Sequence, residues 1–304
     1  MNAAAAPAPF GRVLTAMVTP FVGDGSLDLD AAARLASHLA DSGHDGLVVS
    51  GTTGESPTTS DAEKEQLLRA VVDAVGDRVR VVAGAGTNDT RHSVELARQA
   101  EKAGAHGLLA VTPYYSKPPQ EGLLRHFTAV ADATELPVML YDIPGRTGTP
   151  IATDTLLRLA EHEGVVAVKD AKGDLYAGSE VMARSGLAFY SGDDALNLAW
   201  LTHGAVGVVS VVGHVTGERH AAMVQAVDRG DLAGALGIYR GLLPAIRGIM
   251  TRTQGAIMAK AALQLLGVLS TRTTRSPLVD ATDEQVRMLR VDLGDAGISS
   301  GDPA

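Results

Sequence analysis

Short, nearly continuously apolar runs alternate along this 304-residue chain with longer stretches in which apolar residues recur at helical spacing and charges fill the opposite face. The apolar runs fall at residues 13–20 (VLTAMVTP), 46–51 (GLVVSG), 80–86 (RVVAGAG), 107–113 (GLLAVTP), 137–144 (PVMLYDIP), 165–171 (VVAVKDA), 187–194 (LAFYSGDD) and 207–213 (GVVSVVG). Their lack of in–out alternation predicts parallel strands covered on both faces. Amphipathic segments at 28–42, 61–75, 90–103, 120–133 and 153–162 separate them, several opening on a Ser, Thr or Asp that can cap a first helical turn. Eight β-then-α units within roughly 215 residues predict an α/β fold, a (β/α)8 TIM barrel over residues 13–229. Segments 231–247, 253–266 and 282–290 keep the helical period without further strands, which predicts a C-terminal helical extension over 230–293. Residues 1–12 are expected to form a flexible N-terminal arm, and 294–304 a flexible tail.

Composition narrows the function classes. With 26 basic and 35 acidic residues the formal charge is −9, and no basic block interleaved with aromatics offsets it, so no nucleic-acid partner is expected. The absence of cysteine removes a disulfide framework, a thiolate metal site and a cysteine nucleophile together. No apolar run approaches the roughly 18 residues of a membrane span, and the N-terminus lacks the basic start and apolar centre of a signal peptide. A cytoplasmic protein with no membrane partner is expected. The histidines are scattered without a His-x-x-x-His pair, so no metal is expected, and Gly84-Ala85-Gly86 lacks the third glycine of a dinucleotide fingerprint.

In a barrel of this kind the reacting groups stand at the carboxyl ends of the strands. Lys169 follows Val165-Val166-Ala167-Val168 directly, whereas the other lysines (64, 102, 117, 172 and 260) fall in helices or loops. A lysine drawn into an apolar wall loses the hydration of its charged form, which favours the neutral amine that attacks a carbonyl. The alternative is a structural ion pair with Asp170 or Asp193. Two tyrosines and a threonine at the same rim fit a proton relay around such an amine, with Tyr141 and Thr52 the natural members; taken singly, a buried tyrosine is as well explained by packing. Gly51-Thr52-Thr53-Gly54 is a turn able to cradle a carboxylate, and Arg146 either grips a second carboxylate or is a solvated loop residue. His214, just beyond the last strand, is assigned a structural role.

Five motifs, GTTGES (51–56), TPYY (112–115), YDIPGRTG (141–148), VKDAKG (168–173) and SGDD (191–194), resemble the dihydrodipicolinate synthase family in order and spacing, over almost the whole chain. The resemblance implies condensation of pyruvate with L-aspartate 4-semialdehyde in diaminopimelate and lysine biosynthesis, with no cofactor. It implies that Lys169 is the Schiff-base lysine and that Tyr141, Thr52 and Tyr115 form the proton relay, Tyr115 serving a neighbouring subunit. It also implies that Thr53 contacts the pyruvate carboxylate, that Arg146 binds the semialdehyde carboxylate, that Gly192 and Val209 line the site, and that the chain forms a homotetramer, a dimer of dimers. N-acetylneuraminate lyase and hydroxy-oxo-acid aldolases share barrel, lysine and tyrosine; Arg146 within PGRTG and the double threonine favour the synthase. A non-catalytic sensor of pyruvate or lysine would bind without a covalent adduct. Where members inhibited by lysine carry two histidines and a glutamate, the aligned positions here are Asp61, Lys64 and His92, which implies weak or absent inhibition by lysine.

Overall fold

The structure is a computed structural model, and it describes residues 7–299. The apolar runs become β1 (Val13–Ala16), β2 (Gly46–Val49), β3 (Arg80–Gly84), β4 (Gly107–Val111), β5 (Val138–Asp142), β6 (Val165–Asp170), β7 (Ala188–Ser191) and β8 (Gly207–Ser210). Each pairs in parallel with the next, and β8 pairs with β1 through Leu14 and Val209, closing the barrel. The first run outlasts its strand because the residues leaving the sheet stay buried: after β1 ends at Ala16, Met17, Val18 and Phe21 are still in the core.

The helices are α1 (Leu29–Asp41), α2 (Asp61–Val75), α3 (Thr90–Lys102), α4 (Gln120–Ala131), the single turn α5 (Pro144–Thr147), α6 (Thr153–Leu159), α7 (Leu175–Arg184), α8 (Asn197–Thr202) and α9 (Gly213–Asp228). Asp28, Asp89 and Asp174 cap first turns, and Ser60 forms a reciprocal capping box with Glu63. Neighbouring strand residues face two different cores. Val48, Val82, Leu109, Met139 and Ala167 fill the barrel interior, whereas Leu47, Val81, Leu108, Leu140 and Val168 meet the helices at Leu35, Val71 and Phe127.

The expectation of a loose arm through residue 12 does not hold for residues 8 to 12. Phe10 is fully buried at the start of the barrel, and Gly107 is glycine because a Cβ there would run into the Phe10 ring. The Phe10 N–H donates to Tyr190 Oη (3.2 Å), which donates to Gly11 O (3.0 Å), and Arg12 pairs with Asp228 (2.8 Å). Aromatic packing against a barrel floor outweighs the Ala- and Pro-rich local sequence. Residues 1–6 of that arm and 300–304 of the tail lie outside the described residues.

The extension comprises α10 (Leu232–Ile246), α11 (Gly255–Leu265) and α12 (Asp283–Asp295), α10 packing on α9. Buried Asp292 of α12 accepts from Arg247 Nε (2.7 Å) and Arg252 Nε (2.9 Å), which ties the last helix to the stretch joining α10 and α11. Helix α12 therefore runs two residues past the expected end of the extension, and Arg219 donates to Ala296 O just beyond it.

Candidate active site

β5 and β6 set Tyr141 and Lys169 side by side, since the two residues are register partners and a shared register in adjacent strands points both side chains inward. The Lys169 ammonium lies 4.0 Å from the centre of the Tyr141 ring, and the side chain is only 4% exposed. Among the described residues Lys169 makes no ion pair. The carboxylates that offered the alternative reading are engaged elsewhere: Asp170 Oδ1 accepts the N–H groups of Lys172 (3.0 Å) and Gly173 (2.8 Å), and Asp193 accepts the N–H of Ala195 (3.0 Å). Gly192, held to Asp170 O by its N–H (2.7 Å), runs so close that a Cβ there would stand 2.9 Å from Lys169 Cγ and Cε.

A cavity of about 390 Å³ opens beside Tyr141, lined by Thr52, Tyr114, Tyr115, Tyr141, Ile143 and Arg146 among others. Four of the eight residues singled out from sequence, Thr52, Tyr115, Tyr141 and Arg146, thus line it, and Lys169 and Gly192 do not. Thr53 is buried within the turn, and Val209 is buried in the barrel interior; neither lines the cavity. No hydrogen bond links Thr52, Tyr141 and Tyr115 among the described residues. Arg146, on the exposed turn α5, carries no ion pair among those residues, so its charge is free to meet an anion at the rim. Tyr115 has a left-handed backbone (φ 72°) and is 90% exposed, which leaves a large aromatic surface uncovered. Gly84 and Gly86 also line the cavity, and each is a close-packing position, a Cβ meeting the Ser50 or Val111 backbone.

The Thr52-Thr53 turn is bracketed by two non-glycine residues in the left-handed region, Ser50 (φ 58°) and Glu55 (φ 56°). Glu55 is buried, pairs with Lys260 of α11, and accepts the Arg275 N–H (2.9 Å); Lys260 donates as well to Thr273 O (2.7 Å). Lys260 and Arg275 stack on the Phe21 ring at 4.2 and 4.3 Å. The C-terminal extension therefore clamps the turn, a role that the GTTGES motif alone did not reveal. His214 is structural: its Nε2 accepts the Val18 N–H (3.0 Å), so Nδ1 carries the proton and donates to Val211 O (2.7 Å).

Next to the site, burial pushes the Asp142 carboxyl up to about 6, against the opposing pull of Lys172 at 3.4 Å, and burial raises Asp170 too. Asp61 and His92 engage each other across α2 and α3 (2.9 Å), while Lys64 donates to Thr59 O.

The dihydrodipicolinate synthetase family model matches residues 9–296. A 4-hydroxy-tetrahydrodipicolinate synthase of Kineococcus radiotolerans is 68% identical over 96% of this chain and 94% of its own. One from Acidothermus cellulolyticus is 67% identical over 98% and 96%. The crystal structure of the Cyanidioschyzon merolae enzyme with lysine bound superposes with a TM-score of 0.93 at 42% identity, covering 96% of this chain and 99% of that one.

Proposed function

The chain belongs to the dihydrodipicolinate synthetase family, and we propose on that premise that its barrel mouth joins pyruvate to L-aspartate 4-semialdehyde through a Schiff base on Lys169. It is a lyase, and its reaction is that of a 4-hydroxy-tetrahydrodipicolinate synthase, a step of lysine biosynthesis. The observation that carries the Schiff-base assignment is the unpaired, buried ammonium of Lys169 packed against Tyr141, whose side chain lines an open cavity.

Lys169 Nζ adds to the keto carbon of pyruvate, and water leaves with a proton passed from Tyr141, giving an iminium. The iminium draws electrons from the neighbouring methyl group, which loses a proton and becomes the nucleophilic carbon of an enamine. That carbon adds to the aldehyde of the second substrate, whose oxygen takes a proton through Tyr141, Thr52 and Tyr115. The amine of the second substrate then adds to the former keto carbon and expels Lys169, closing the ring and restoring the free amine. Thr53 and its turn hold the pyruvate carboxylate, Arg146 holds that of the semialdehyde, and Gly192 and Val209 shape the pocket around the lysine.

As part of the same reading the enzyme acts in the cytoplasm and assembles as a homotetramer, in which Tyr115 reaches a neighbour's site. The 90% exposure of that ring supports a partner surface over it. Among the described residues no helix is long and apolar enough to cross a membrane.

The test is mass spectrometry of the product from both substrates, together with borohydride trapping of pyruvate on the protein. Wild type is expected to form the cyclic product and a trapped adduct, and Lys169→Ala neither. Product persisting in Lys169→Ala would overturn the role of the lysine. An adduct without condensation product would redirect the assignment to another aldehyde acceptor.

A further inference from the structure

The strands that carry Tyr141 and Lys169 each place a carboxylate on the next residue, and these too are register partners: Asp142 and Asp170. Strand alternation turns both away from the barrel interior, and both are buried. Asp142 faces Lys172, which sits in the loop after β6 and is positioned there by its own N–H on Asp170.

These groups converge on one residue. Asp142 Oδ1 accepts the Ile151 N–H (3.2 Å), Asp142 Oδ2 lies 3.4 Å from Lys172 Nζ, and the same ammonium donates to Ile151 O (3.4 Å). Both backbone groups of Ile151 are thus held by one ion pair. Ile151 ends the loop that starts at Asp142 and carries Arg146, so the pair closes that loop from its inner side. Gln120 of α4 fastens the outer side, donating to Pro150 O (2.9 Å) and accepting the Ala152 N–H (3.0 Å).

Arg146 has no side-chain anchor among the described residues, so the closure of its loop sets where its guanidinium stands relative to Lys169. A buried ion pair gains little stability over apolar packing of the same volume, whereas it does fix which backbone groups meet. We propose that Asp142 and Lys172 are positioning residues: their ion pair locks the Arg146 loop to the strand of the catalytic lysine and thereby sets the affinity for the carboxylate of the second substrate. This rests on the condensation and on the Arg146 contact proposed above.

The experiment compares steady-state kinetics and borohydride-trapped pyruvate adduct for wild type, Asp142→Asn, Lys172→Met and Lys172→Arg. Lys172 is partly exposed, so its variants fold even if the aspartate variant does not. KM for the semialdehyde is expected to rise at least about fivefold in Lys172→Met and Asp142→Asn, with pyruvate KM and adduct yield within about twofold of wild type, and Lys172→Arg is expected to recover most of the loss. Unchanged semialdehyde KM in Lys172→Met would overturn the proposal, and so would equal losses for both substrates, which mark a general packing role. Wild type that traps no pyruvate would instead overturn the Schiff-base reading and this inference with it.

Discussion

Lys169 owes its position to strand alternation along β6: Ala167 faces the barrel interior, and the lysine two residues on continues that inward row to the rim. That much was legible in the sequence, because a lysine ending an apolar strand reaches the barrel rim whether it reacts there or forms an ion pair. What was not legible is the crowding around its stem. Gly192 matters less for a backbone angle than for the space it leaves, since a methyl group there would sit 2.9 Å from two carbons of the lysine. Gly192→Ala is therefore expected to push the amine off the keto carbon's approach path and slow adduct formation at least about tenfold while the protein stays folded. Stopped-flow or quenched borohydride trapping measures this, and an adduct rate equal to wild type would show that the lysine stem shifts freely.

At the scale of elements, the alternation of runs and amphipathic segments was readable because strands covered on both faces and helices covered on one obey different periods. The clamp on the Thr52-Thr53 turn was not readable, since Glu55 and Lys260 stand 205 positions apart and nothing in local spacing couples them. Asp142 and Lys172 escaped for a related reason: both belong to the motifs YDIPGRTG and VKDAKG, but only the folded loop brings both onto Ile151. Phe10 was hidden by the small residues and prolines before it, which read as a linker until the barrel floor supplies its partners. The neighbouring helices α2 and α3 bear on regulation. Asp61 and His92 satisfy each other there, and Lys64 places a further positive charge in the same region, which disfavours a cationic ligand. Half-inhibition by lysine is expected only above about 1 mM in a steady-state assay; a value below that, equivalent to more than about 4 kcal/mol of binding, would reverse the reading.

Across the whole molecule, three buried histidines set the acid limit. Burial holds His44, His126 and His214 down to about 4, below their ordinary 6.5, so the unfolded chain takes up these protons first as the pH falls. Their contribution to stability is complete above about pH 6.5 and is lost as the pH drops toward 4, each losing about 2 kcal/mol by pH 5. Asp142 and Asp170 work in the opposite sense, because a raised carboxyl binds a proton in the folded state first, but they are two groups against three. Thermal melts should therefore show Tm falling steeply between pH 6.5 and 4.5, with a shallower fall in His126→Leu; a flat profile would count against buried neutral histidines. The Phe10 floor has a further consequence for traffic. Side chains fill the barrel from Phe10 up to the level of Lys169, so the site is a blind well with a single door at the carboxyl ends of the strands. On the mechanism proposed above, pyruvate held by Lys169 is covered by the second substrate, so depth imposes the order of arrival, and the finished ring must back out through the same door before another turnover can start.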